Sequence, residues 1–271
     1  DAGTMCPSYR VTRDEQHLTR GRANTLRLAL SGQLEGEALD GEAVKAALDL
    51  CVSCKGCKRD CPTGVDMARM KIEFTAQDKA RHGFTLKDKL IGHLPRYAAT
   101  ASRFAGLLNL RNQIPALAKL AERFTGIAAE RSLPAWRADT FWRADANALG
   151  LVSREAALAA ASAGQKVAVL FVDTFNGSFE TENAVAAVRV LRAAGYAVHA
   201  LAKDDGPGGH HCCGRTYLAT GMVEEAKRSA GALLDALQPL AEAGIAIVGL
   251  EPSCLLTLRD ETLALGLGDK A

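Results

Sequence analysis

No stretch of this sequence approaches the roughly 20 uninterrupted apolar residues that a membrane-spanning helix needs. Even the apolar region from Tyr97 to Leu120 is broken by Arg103, Arg111 and Pro115, so no transmembrane segment is expected. A surplus of one charge sign is also missing. The net charge is +2 and the Lys and Arg residues are spread along the chain, which removes nucleic acid from the expected partners. No Ser-His-Asp set, paired acidic motif or nucleotide-binding fingerprint is present, so no residue is assigned a catalytic role on an organic substrate. Gly206-Pro207-Gly208-Gly209 reads as a turn and is a poor match to a phosphate-binding loop. Aromatic residues are few, at 5%.

With 271 residues, 48% of them hydrophobic, the chain can bury one large core or two modest ones. It opens at Asp1 without an initiator Met or a signal-peptide pattern, and Cys6 already belongs to a motif. A fragment cut at its N-terminus is the expectation. The eight cysteines form two groups, at 6–61 and 212–254, and the first has cluster-ligand spacing rather than a scattered disulfide pattern. That favours the reducing cytoplasm.

Periodicity predicts helices over 14–32, 41–50 and 67–82, with Pro62 closing a cysteine loop between the last two. Residues 85–133 read as several helices punctuated by Pro95, Pro115 and Pro134. The segment with Trp136, Phe141 and Trp142 reads as an extended linker, its aromatics being either buried anchors or a docking surface. From Gln165 the pattern changes. Val167–Val172 is a short β-branched apolar run, the mark of a strand buried on both faces. A helix over 180–194, a strand over 196–201, a helix over 222–243 and a strand over 245–250 follow. This alternation implies a parallel sheet with helices on its faces, and the chain stops at Ala271 before such a domain is complete.

The run Cys51-Val52-Ser53-Cys54-Lys55-Gly56-Cys57-Lys58-Arg59-Asp60-Cys61-Pro62 has the spacing C-x2-C-x2-C-x3-C-P. Three thiolates at two-residue gaps wrap one face of a cubane iron-sulfur cluster, and in two-cluster ferredoxins the Cys before Pro serves the other cluster. Cys6-Pro7 echoes Cys61-Pro62. Cys6 is therefore the expected fourth ligand to a 4Fe-4S cluster on Cys51, Cys54 and Cys57, and Cys61 the ligand of a second cluster whose other ligands lie outside this chain. Two alternatives stay open: all four cysteines of the run on one cluster with Cys6 idle, or a zinc knot, although zinc sites usually pair two CxxC units across a longer loop. Arg20 and Arg22 on the next helix could neutralise cluster charge and raise its potential, or be surface charges. Lys55, Lys58 and Arg59 read as solvated or partner-facing.

Gly3-Thr4-Met5-Cys6-Pro7-Ser8-Tyr9, Arg20-Gly21-Arg22-Ala23-Asn24 and the cysteine run resemble the two-cluster helical ferredoxin domain of FAD-linked 2-hydroxy-acid dehydrogenases. The likeness extends to Leu94-Pro95-Arg96-Tyr97 and the 107–111 segment, and its wording is nearest to fusion enzymes of the D-lactate and D-2-hydroxyglutarate class. His210-His211-Cys212-Cys213-Gly214 and Glu251-Pro252-Ser253-Cys254 are similar to the cysteine-rich CCG domain of heterodisulfide reductase subunits. Loops at the carboxyl ends of parallel strands converge, so Cys212, Cys213 and Cys254 can meet as cluster ligands or redox thiols. The bland alternative makes Cys212 or Cys213 a small buried residue. Asp173, Thr174 and Glu251 stand where the CCG pattern more often has Cys, and His210 and His211 read as loop residues.

The resemblance implies an α plus α/β fold: a helical ferredoxin-like domain over 1–84, a helical linker over 85–163 and a C-terminally incomplete CCG-type α/β domain over 164–271. It implies a segment that passes electrons from FAD, held in a missing N-terminal part or a partner subunit, to a quinone or carrier protein. By itself the fragment would be inactive. The location implied is cytoplasmic or peripheral at the membrane. A heterodisulfide-reductase-like subunit and a cluster- or zinc-clipped regulatory protein are the competing readings.

Overall fold

The computed structural model describes residues 5–34, 41–202 and 210–271. The turn signal at 206–209 lies outside them, as do Gly3 and Thr4. The chain divides into two compact units, Asp1–Phe84 and Thr85–Ala271.

The first unit is helical: α1 (Pro7–Thr12), α2 (Thr19–Leu30), α3 (Glu42–Asp49), α4 (Gly56–Asp60) and α5 (Met67–His82), with a 3-10 turn at Glu15–His17. Pro7 opens α1 at a position where a missing N–H costs nothing, and the Asp66 carboxylate caps α5 by accepting from the Arg69 N–H at 3.2 Å. Leu26, Ala29, Val44, Leu48, Met67 and Phe74 form its small core, against which Cys51 and Cys57 pack. The helix expected over 14–32 is split, because the turn at Glu15–His17 lies close beneath α2. A Cβ on Gly21 would come within 2.1 Å of the Glu15 carbonyl oxygen, so only glycine fits there.

In the second unit, α6 (Leu86–Gly92) starts with a capping box between Thr85 and Asp88, and α7 (Leu94–Ala101), α8 (Ala105–Gln113) and α9 (Pro115–Thr125) follow. The segment 126–145 carries little regular structure but is pinned rather than loose. Asn109 accepts from the Trp136 N–H and donates to the Trp136 carbonyl, both at 2.8 Å, and the Trp136 ring lies 4.7 Å from that of Phe179. Phe141 is buried in the core, so these aromatics are anchors.

The α/β part runs α10 (Ala146–Leu149), α11 (Arg154–Ser162), β1 (Val167–Phe171), α12 (Thr174–Ser178), α13 (Thr181–Ala193), β2 (Ala197–Ala200), α14 (Arg215–Ala219), α15 (Val223–Glu242), β3 (Ala246–Gly249) and α16 (Pro252–Arg259). The three strands are parallel in the order β2-β1-β3, with Val167 opposite Ala197 and Ala168 opposite Ala246. β1 is central and fully buried, which explains its unbroken apolar run. Strand alternation sends Val167, Val169 and Phe171 into one layer with Ala157, Leu233, Leu237 and Leu240, and Leu170 into the other with Ala184 and Val188. The α plus parallel α/β architecture is thus present, with strands one residue shorter at most ends than the apolar runs.

Candidate iron-sulfur site and the second thiol group

Cys6, Cys51, Cys54 and Cys57 line one pocket, together with Ser8, Thr19, Arg22, Lys55, Met67 and Ala68. Cys6 caps the start of α1, while Cys57 lies in the first turn of α4, so chain distant in sequence supplies the fourth thiol. Ser53 and Lys55, at φ 53° and 59°, take the left-handed conformation that side chains disfavour, and this bends the run around the pocket. All four cysteines are free thiols. The pocket holds about 20 Å³, space for a single water, and among the described residues no three His, Cys, Asp or Glu converge to hold one metal ion. Thiolates are the ligands that iron-sulfur clusters select, and an all-sulfur donor set on one pocket fits such a group.

Arg22 is the pocket's buried cation, 2% exposed. Its Nε donates to the Ala47 carbonyl at 2.8 Å, one Nη to Ser8 Oγ at 2.8 Å and the other to Cys6 Sγ at 3.7 Å. Arg20, two residues earlier, points the other way. It is exposed and paired with Glu15, and of the two arginines Arg22 is the one that lines the thiol pocket. Lys55 and Lys58 are not simply solvated either. Their Nζ atoms lie 3.5 and 3.4 Å from the buried Asp66 carboxylate, which Arg69 also approaches at 3.6 Å. One carboxylate therefore ties the cysteine run to the start of α5.

Asp66 and Lys71 escaped the sequence reading. Lys71 donates to the carbonyls of Cys51 at 2.7 Å and Asp49 at 3.1 Å, and its burial lowers its pKa. The available signal was their placement at the start of and on the helix following the cysteines, where a carboxylate can meet the loop's lysines and a lysine can donate to its carbonyls.

Cys61 does not line the pocket. Its sulfur lies 3.2 Å from Thr63 Oγ1, and that hydrogen bond, with backbone N–H groups of Val65 and Thr63, lowers its pKa by favouring the thiolate. This half-buried thiol, beside a loop of donors, lies outside the first pocket.

In the α/β part, Cys213 is in contact with both Cys212 and Cys254, so the three thiols that the loops were expected to gather do meet. Cys213 and Cys254 are at the same time members of the α15-side core. Gly214 turns the chain from this pair into α14 at φ 88°, and a Cβ there would lie 3.0 Å from the Ala226 carbonyl oxygen. The Cys213 thiol and burial push Cys212 well above the ordinary thiol pKa. Cys213 receives a lowering contribution from Cys212, but its contact with Cys254 and its burial push it up overall. Asp173 and Thr174 have structural work at the positions where Cys was the commoner residue. Asp173 caps α12 and accepts from Asn176, and Thr174 Oγ1 lies 2.8 Å from His210 Nε2. Beside Cys212 opens a cleft of about 440 Å³, lined by Arg96, His210, His211, Tyr217, Glu225 and Arg228.

These opposite shifts predict an order of reactivity. In the metal-free chain, iodoacetamide titrated upward in pH should modify Cys61 before Cys212 and Cys213, as read by peptide mass spectrometry. Folded-state thiols raised above their unfolded value stabilise fully below that value, about 8.5, and the contribution is lost as pH climbs past it. The thermal midpoint should therefore fall above about pH 8.5, and less so in Cys212→Ala/Cys213→Ala; a fall of equal size in that variant would refute the assignment.

Residues 3–65 match the family of the 4Fe-4S dicluster domain. The chain is 25% identical over 301 residues to the D-2-hydroxyglutarate dehydrogenase of Escherichia coli, covering 97% of this chain and 28% of the relative. The enzymes of the same name from Pantoea ananatis and Pseudomonas putida are 24% and 23% identical, each over 95% of this chain. The chain spans about 28% of the length of these curated relatives. No solved structure matches it significantly.

Proposed function

We propose, from the premise that this chain is an iron-sulfur region of the kind found in 2-hydroxy-acid dehydrogenases, that it is the electron-transfer segment of such an enzyme. The observation that carries the proposal is that Cys6, Cys51, Cys54 and Cys57 line one pocket together with the buried Arg22. A 4Fe-4S cluster on those thiols supplies one-electron chemistry. The chain's residues position and tune it. Arg22 holds Cys6 and sets a positive charge beside thiolates, Lys71 fixes the backbone of Cys51, and Asp66 ties down Lys55 and Lys58. Cys61 serves a second cluster, in keeping with a dicluster family.

The oxidised substrate is a 2-hydroxy acid of the D-2-hydroxyglutarate or D-lactate class, its hydride accepted by FAD outside this chain. Electrons leave to a quinone or carrier protein. Support comes from the sequence resemblance together with relatives named D-2-hydroxyglutarate dehydrogenase. Cys212, Cys213 and Cys254 form a buried thiol group of the same relay, as ligands or as redox thiols.

Anaerobic reconstitution with iron and sulfide tests this reading. About four irons per chain and a reducible cubane signal in electron paramagnetic resonance are expected. Zinc bound without inorganic sulfide would overturn it.

A further inference from the structure

The cleft beside Cys212 is built by three stretches of one unit: α7 supplies Arg96, the chain entering and forming α14 supplies His210, His211 and Tyr217, and α15 supplies Glu225 and Arg228. Its walls are fixed. Thr216 Oγ1 donates to the Gly92 carbonyl at 3.1 Å, which ties α14 to the end of α6 just before α7. The Arg96 guanidinium lies 5.6 Å from the centre of the Tyr217 ring, and that tyrosine is buried. His210 and His211 are buried too, and His210 is oriented by Thr174 Oγ1 at 2.8 Å and by the Trp142 ring stacked 6.5 Å from its own.

The charges inside the cleft do not balance. Arg96 and Arg228 reach the single carboxylate of Glu225 from two different helices. Among the described residues that line the cleft no second acid is present, so one positive charge is left over. The charges beside it in sequence cancel, Arg215 against Glu261 and Lys227 against Glu224. Exposed ion pairs stabilise little, so a second arginine on one carboxylate adds little to the fold. Burial raises the Tyr217 pKa, which keeps its hydroxyl neutral and sets no further negative charge against an anion. Concave, about 440 Å³ in volume and lined by convergent hydrogen-bond donors, the cleft has the size and chemistry of a small-molecule site. Glu225 shows what those donors select: the two guanidiniums already converge on a carboxylate, a shape that their planar forks match.

We infer that this cleft binds a small organic carboxylate, which accepts hydrogen bonds from Arg96 and Arg228 in competition with Glu225 and lies against Cys212. The site is independent of the electron-transfer reading, since neither arginine nor Glu225 lines the first thiol pocket, and iron content reports on that reading separately.

Isothermal titration calorimetry of the full chain with glutarate, lactate and inorganic phosphate at low ionic strength is the test. Glutarate or lactate is expected to bind at one site, and more tightly than phosphate. Arg228→Gln should weaken that binding about tenfold or more, through the loss of a charge-assisted hydrogen bond. Glu225→Gln should tighten it, because the competing carboxylate is gone while both guanidiniums remain; a purely structural ion-pair network would give no such gain. Should Arg228→Gln lose its circular dichroism spectrum, Glu225→Gln carries the test alone. Failure of both acids to bind, phosphate bound as tightly as either, an affinity that Arg228→Gln leaves intact, or one that Glu225→Gln fails to raise would each overturn the inference.

Discussion

Cys6→Ser should leave the reconstituted chain without its cubane, with visible absorbance and bound iron both near background, while Cys61→Ser keeps them. The reason is geometric: Cys6 shares a pocket with Cys51, Cys54 and Cys57, and Cys61 faces Thr63 outside it. A serine oxygen is a harder, poorer ligand for iron than a thiolate, so the pocket would keep only three of the four thiolates that would hold a cubane. Thr19 Oγ1, 3.4 Å from Cys6 Sγ, offers no thiolate in its place. The comparison of the two variants decides between the open ligand sets. Iron retained by Cys6→Ser and lost by Cys61→Ser would mean that the run 51–61 closes on one cluster by itself.

Arg22→Met should be the most damaging change that removes no thiol. It strips partners from the buried Ala47 carbonyl and from Ser8 Oγ, and it removes the donor to Cys6. Ser8 Oγ keeps its bond to the His17 carbonyl, so the cost is mainly that of the one buried carbonyl, and a loss of about 1–3 kcal/mol in denaturant unfolding is expected. Stability alone would not separate a cluster-tuning role from a structural one. The potential does: removing a cation beside anionic thiolates disfavours the reduced, more negative cluster and should move its midpoint downward. Arg22→Lys should retain most of the potential while still losing stability, because an ammonium keeps the charge but not the planar fork that reaches three acceptors. Arg20→Met, at an exposed side chain paired with Glu15, should change stability by no more than about 0.5 kcal/mol and leave the potential unmoved. Equal potentials in the Arg22 and Arg20 variants would remove Arg22 from the cluster's environment.

Much of this protein is written in local pattern. The C-x2-C-x2-C-x3-C-P run names its chemistry because ligand spacing is a short-range property, and the Val167–Val172 run marks a central parallel strand because burial on both faces leaves no polar positions. The parallel sheet was legible in the alternation of strands and helices, and the gathering of Cys213 with Cys212 and Cys254 follows from parallel strands whose loops share one edge; the order β2-β1-β3 came only with the structure.

Folding in three dimensions decided what composition leaves degenerate. Arg20 and Arg22 are the same residue type two positions apart on one helix, roughly 200° around its axis, so one is buried beneath the thiols and the other meets water. Lys55 and Lys58 look like loop charges until Asp66 is brought against them from the following helix. The outward face of α8 is likewise tertiary. The apolar spacing is that of an ordinary core-facing helix, and on α8 the hydrogen bonds of Asn109, Arg111 and Asn112 to the segment 128–136 hold the polar side chains against the chain while Leu107 stays exposed. Identity and spacing determine which chemistry the chain can perform; which copy of a residue performs it depends on the side of each helix that packing leaves available.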